Sequence, residues 1–277
     1  MLLAHADAAR VLTWAWEPSI LIGLAALVGG YALAVGPLRR RYHWGAPVPI
    51  SRQAAFYLGM LCVWIALVSP LDALADEYLF SAHMVQHMLL TFVAPPLWLI
   101  GTPSWLAEKL VPAPVRRIMA GVTHPAAAFA IFNGTMWAWH LPRAYDLALE
   151  YEGLHVIEHL TFMASAVIGW WPVLGAFHPN RDAWTPLVRV FYLVLSIFPC
   201  TALAGLITLA PTRLYTFYAN APEQWGLSPL ADQQLGGVLM WIPGDMILLL
   251  ALTLVFYRWL SEPSSSLADT PGQIVTT

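Results

Sequence analysis

Seven apolar runs, most of them near the thickness of a bilayer core in length, leave this chain few ways to fold. They are Ile20–Pro37, Gln53–Val68, Tyr78–Ile100, Val122–His140, Leu154–Leu174, Val188–Ala210 and Leu235–Leu260. A helix needs roughly 20 such residues to cross about 30 Å of hydrocarbon, where no water is present to satisfy its backbone amides. The second run is short, and the third and seventh are long enough to tilt. Of 277 residues, 59% are hydrophobic and only 10% are Asp, Glu, Lys or Arg, against about 25% charged in soluble domains. A soluble fold of this length would lack the polar surface to stay dissolved. The expected fold class is therefore all-α, an integral membrane bundle of about seven transmembrane helices. Fourteen Trp and ten Tyr suit the interfacial belts where amphipathic aromatics collect.

The basic residues orient the bundle. Arg39, Arg40, Arg41, Arg52, Lys109, Arg116, Arg117, Arg181, Arg189 and Arg258 fall on one side, and Arg10, Arg143 and Arg213 on the other. Under the positive-inside rule this places the N-terminus outside and the C-terminus in the cytoplasm. No repeat of 20–50 residues divides the chain, so residues 1–262 read as a single seven-span domain. The Ser-, Thr-, Pro- and Asp-containing stretch 263–277 reads as a disordered cytoplasmic tail. Met1 to Glu17 is too polar for a signal-peptide core and shows no small-residue cleavage site, so the first run is expected to be retained. Cys62 and Cys200 lie far apart in apolar runs and read as small core residues. No basic run suggests nucleic acid.

Histidines carry the chemistry. His83 and His87 open the third run, His140 ends the fourth, and His155 and His159 open the fifth. With alternating helix directions, all five meet at one membrane level on three helices. A four-residue separation puts both side chains on one helix face, one turn apart. His83-x-x-x-His87 and His155-x-x-x-His159 can thus each present two imidazoles to a metal, with His140 as a fifth ligand or a donor behind the ligands. Imidazole suits copper, zinc, iron and nickel alike. A hydrogen-bonded polar cluster or a proton path would use the same residues. Ionisable groups inside spans are costly, however, which favours a functional role for five at one level.

Several neighbours could complete such a site. Glu158, beside His159, can orient a ligating imidazole or pair with Arg143. Met136 lies one turn from His140 and Met240 two turns into the last run; thioethers would favour Cu(I), although Met is often filler. The last run begins Asp232-Gln233-Gln234-Leu235-Gly236-Gly237. Asp232 and Gln233 fit an N-cap and first turn beside the histidines, and Gly236 and Gly237 allow close helix approach. Asp245 reads as an interhelical partner or a proton-relay group. Nucleotide-binding and hydrolase signatures are absent.

Taken together, Ser81-Ala82-His83-Met84-Val85-Gln86-His87-Met88-Leu89-Leu90, Ala94-Pro95-Pro96-Leu97, Trp137-Ala138-Trp139-His140, His155-Val156-Ile157-Glu158-His159 and Asp232-Gln233-Gln234-Leu235-Gly236-Gly237 resemble the CtaG family of multi-spanning bacterial cytochrome c oxidase assembly factors. The resemblance runs from about Trp16 to Trp259. It implies a non-enzymatic protein of the bacterial inner membrane needed for active haem–copper oxidase, with a suspected part in copper delivery. Its histidine-bearing segments correspond to His83, His87, His140, His155 and His159. Cluster and resemblance together give the expectation of a copper-binding assembly factor, with haem b or zinc as the other candidate cofactors. The expected partners are membrane lipid, oxidase subunits and other copper chaperones. A b-type haem protein and a proton-coupled transporter using Glu158 and Asp245 are the competing expectations.

Overall fold

The structure, a computed structural model, describes residues 13–175, 184–220 and 226–261. Every regular element among them is helical. In chain order these are α1 Pro18–Tyr42 and α2 Ile50–Val68, the short α3 Pro70–Glu77, and α4 Phe80–Gly101. Then come α5 Ser104–Leu110, α6 Ala113–Val122, α7 Pro125–Trp139 and α8 Pro142–Glu150. The chain continues with α9 Glu152–Leu174, α10 Pro186–Thr208, a 3-10 turn Phe217–Asn220, and α11 Pro229–Ser261. The expected tail, 263–277, lies outside the described residues.

Six helices, α1, α2, α4, α9, α10 and α11, are long and apolar enough to cross a membrane. The seventh expected span, Val122–His140, is realised differently. Its helix, α7, has 15 residues, roughly 22 Å at the α-helical rise, and falls short of the hydrocarbon thickness. The cause is local. His124 precedes Pro125 and is extended, with φ −60° and ψ 140°, because a residue before proline is driven out of the α region. Val122 therefore closes the preceding helix instead of opening this one.

Proline opens α1, α3, α7, α8, α10 and α11, at helix positions where its missing N–H costs nothing. Ser69 caps α3 by accepting from the Leu71 amide (3.2 Å), and Thr185 caps α10 by accepting from Val188 (3.3 Å).

α4 is the central helix, packed against α2 on one side, α9 on another, and α11 along its N-terminal half. It widens into a π turn at Leu89–Val93, just before Pro95 and Pro96. Pro95 has no N–H to offer the carbonyl four residues back, that of Thr91. The Trp170 indole on α9 donates to that oxygen instead (3.1 Å), and the Thr91 hydroxyl donates to the His87 carbonyl (2.6 Å). The break is thus closed by neighbours, and it lies one turn below the histidines.

α11 approaches its neighbours through two glycines. A Cβ on Gly236 would run into the Phe80 ring and into Met84 of α4. One on Gly237 would lie 2.8 Å from the Thr208 backbone nitrogen of α10. Neither contact tolerates a side chain.

Candidate metal centre

The cluster begins with how α4 is anchored. Its first amides have no intrahelical acceptor. Asp232 of α11 takes two of them, from Phe80 (2.7 Å) and Ser81 (3.2 Å). The last helix starts earlier than expected, at Pro229, so Ser228 serves as its cap by accepting from Ala231 (3.3 Å). Asp232 therefore caps α4 from across the interface and not its own helix. Gln233 accepts from the Leu214 (2.7 Å) and Tyr215 (3.4 Å) amides and so braces the loop before α11. From that loop, Tyr215 donates to the His140 carbonyl (3.0 Å), and the Tyr218 hydroxyl donates to the Ala75 carbonyl of α3.

Inside this frame the five histidines meet. His83 is fully buried and His87, His140 and His159 nearly so. Nε2 of His83 and Nε2 of His87 are 2.7 Å apart. Ring centroids are 4.2 Å apart for His155 and His159, 5.3 Å for His83 and His155, and 5.5 Å for His87 and His159. One ligand atom each from His83, His87 and His159 lie within 4.8 Å of one another. A second trio, Asp76, His83 and His155, meets the same limit. The two HxxxH pairs do face each other, but they divide between two trios that share His83 and do not converge on one point.

One short hydrogen bond fixes a tautomer, and a longer contact favours another. His140 Nδ1 lies 2.7 Å from the Met136 carbonyl, which can only accept, so Nδ1 carries the proton and Nε2 keeps a lone pair. That Nε2 is buried without a partner. Tyr218 directs its proton to Ala75, so its oxygen can only accept from His83 Nδ1, 3.5 Å away. With the proton on Nδ1, His83 Nε2 keeps a lone pair, which accepts from His87 Nε2 at 2.7 Å and is the form a metal ligand needs. His140 sits 5.9 Å, ring to ring, from His87 and belongs to neither trio.

Glu158 is completely buried, with Oε1 3.8 Å from His87 Nε2, and neither oxygen is hydrogen-bonded. The alternative pairing with Arg143 does not occur, since Arg143 is exposed and Glu158 faces inward. A buried carboxylate without hydrogen bonds is costly unless positive charge stands beside it. His87 Nδ1 and His159 Nε2 are likewise buried without partners. So many unsatisfied polar atoms in one cluster fit a bound cation better than a closed hydrogen-bond network.

Met136 and Met240 are buried among the core hydrophobics, and Met136 reaches the cluster through its carbonyl. Asp245 accepts from Thr201 of α10 (2.8 Å), an interhelical bond. Cys62 and Cys200 are free thiols.

Asp76 is the residue that sequence reasoning passed over. Its Oδ2 lies 3.6 Å from His155 Nδ1. Burial pushes its carboxyl up to about 8, with repulsion from Asp72 and Glu77 adding to the effect. The extended backbone at Leu79, φ −133° and ψ 121°, folds α3 back over α4 and brings Asp76 to His83. Sequence spacing cannot report that kink.

The profile of the cytochrome c oxidase caa3 assembly factor family (Caa3_CtaG) matches residues 29–262. Two uncharacterized proteins, Mb0105 of Mycobacterium bovis and MT0111 of Mycobacterium tuberculosis, are each 26% identical over 270 residues, covering 91% of this chain and 40% of their own. ML1998 of Mycobacterium leprae, also uncharacterized, is 25% identical over 263 residues, covering 88% of this chain and 39% of its own. This chain thus spans about two-fifths of the length of these curated relatives. No solved structure matches it.

Proposed function

Because this chain belongs to the cytochrome c oxidase caa3 assembly factor family, we propose that it holds copper at the histidine cluster and passes it to a nascent oxidase subunit. The observation carrying this reading is the buried trio His83, His87 and His159, with one ligand atom each inside 4.8 Å. Three neutral imidazoles suit copper, and the family's place in haem–copper oxidase biogenesis favours copper over zinc. Glu158 supplies negative charge beside His87, and His140 offers a further lone pair at the edge. Copper is cargo here: it enters and leaves by ligand exchange, and no bond in a substrate is made or broken. The proposal is therefore of a non-enzymatic assembly factor.

The same proposal places the chain in the bacterial inner membrane with seven crossings, counting the short α7, N-terminus outside and C-terminus inside. The ten-to-three division of basic residues supports it. It treats residues 1–262 as one membrane domain, with upstream copper chaperones and oxidase subunits as partners. Copper is preferred over a b-type haem because the imidazoles touch one another, with neighbouring centroids 4.1–5.5 Å apart, leaving no slab between facing rings for a porphyrin.

The test is copper analysis of the protein purified in detergent after loading with Cu(I). The expected result is a fixed molar ratio that disappears in the His83→Ala/His87→Ala variant. An unchanged ratio in that variant, or a Soret band in the wild type, overturns the copper reading. A reporter enzyme fused to the C-terminus and active only outside the cytoplasm tests the orientation. It should be inactive.

A further inference from the structure

A copper ion held by three buried imidazoles has a kinetic problem. Releasing it in one step would break every bond before any replacement forms, at side chains buried from solvent. The two trios suggest how this is avoided. They share His83, and exposure rises steadily from one to the other. His83 is 0% and His87 4% exposed, whereas the side chains of His155 and Asp76 are 13% and 35% exposed. Asp76 Oδ1 and His155 Nε2 are both buried atoms without a hydrogen-bond partner. Tyr218 ties the two trios together mechanically, donating to the carbonyl of Ala75, next to Asp76, while facing His83 Nδ1.

Resting on the copper reading above, we propose that Asp76, His155 and His83 form a second, outer metal position through which the ion passes to and from the inner trio of His83, His87 and His159. His83 stays bound throughout. As the ion moves inward, its bonds to Asp76 and His155 break while bonds to His87 and His159 form, and the reverse sequence releases it. The oxidation state does not change. No intermediate is left with a single protein ligand, which is what makes exchange fast from a buried site. The carboxylate, a harder ligand than imidazole, gives a weaker outer position and so favours onward movement in.

The experiment uses the full chain in detergent and Cu(I) presented by a chromophoric chelator, following uptake and, with excess chelator, release. Asp76→Asn keeps the side-chain shape and removes the anionic ligand; His155→Gln is a second, independent variant. The relay predicts uptake and release both slowed by about tenfold or more, a size typical of losing a group that supports a metal site. The slowing must be the same in both directions, because a pathway residue changes rates and not the equilibrium. Wild-type rates in either variant overturn the relay, as does faster release with uptake unchanged, which marks an ordinary ligand. If the wild type takes up no copper, the copper reading itself fails; wild-type uptake with unaffected variants sinks the relay alone.

Discussion

Asp232 caps α4 with both oxygens of one carboxylate, and the carboxylate's charge also opposes the positive end of the helix. Asp232→Ala should lower stability by about 1–2 kcal/mol, the usual cost of losing a cap, read as a fall in thermal midpoint in detergent. Glu158 behaves oppositely in its two states. With nothing positive beside it, its unsatisfied oxygens give the fold no benefit, so Glu158→Gln should leave the copper-free protein at least as stable. Copper affinity in that variant should fall by about tenfold or more, measured by competition with a chelator. Asp72 supplies a pH dependence. Burial pushes its carboxyl from 3.8 up to about 6, partly offset by the hydrogen bond from Gln86. A folded value above the unfolded one contributes stability that is complete below 3.8 and lost as pH rises through about 6. Asp72→Asn should reduce the slope of the stability profile of the copper-free protein across that window, leaving the part that Asp76 contributes as pH rises towards about 8; an unaltered slope would show that Asp72 contributes none of it.

At the scale of helices, the informative features are the interruptions. The π turn at Leu89–Val93 lies just after the His83–His87 turn and is closed by Trp170 and Thr91. Such bulges are frequent at functional sites, and here the Trp170 bond to the Thr91 carbonyl ties the turn to α9. Trp170→Phe keeps the ring but leaves the Thr91 carbonyl unsatisfied. It should cost about 1–3 kcal/mol and speed amide exchange in the second half of α4 relative to the first. The α11 glycines form the other critical contact. Gly237→Ala forces a Cβ onto the α10 backbone at Thr208, a collision no rotamer change can relieve, with an expected loss of about 1–3 kcal/mol.

For the molecule as a whole, the cluster belongs to no single helix. α4 and α9 bring two histidines each, the C-terminal cap of α7 one, α3 contributes Asp76, and the loop before α11 presents Tyr218. Anything that binds this assembled state and not the unfolded chain must stabilise it through mass action. Free Cu(I) at about 100 times its dissociation constant should add about 2.7 kcal/mol, a rise in midpoint absent from the His83→Ala/His87→Ala variant. A midpoint that ignores copper in the wild type would count against the assembled site.

The apolar runs determined six of the spanning helices to within a few residues, because a 20-residue stretch without charge has only one way to satisfy its amides in hydrocarbon. The four-residue histidine spacing likewise determined which faces of α4 and α9 carry imidazoles, since helical periodicity is local. What tertiary structure decided is non-local. The kink at Leu79 that returns Asp76 to His83, the capping of α4 by a residue 152 positions away, and the division of the imidazoles into two trios all depend on how helices pack. The short α7 was decided more locally, by Pro125 and the extended residue before it. Backbone geometry between elements, and not composition within them, sets where a side chain's polar atoms meet. Spacing along one helix carries no record of that.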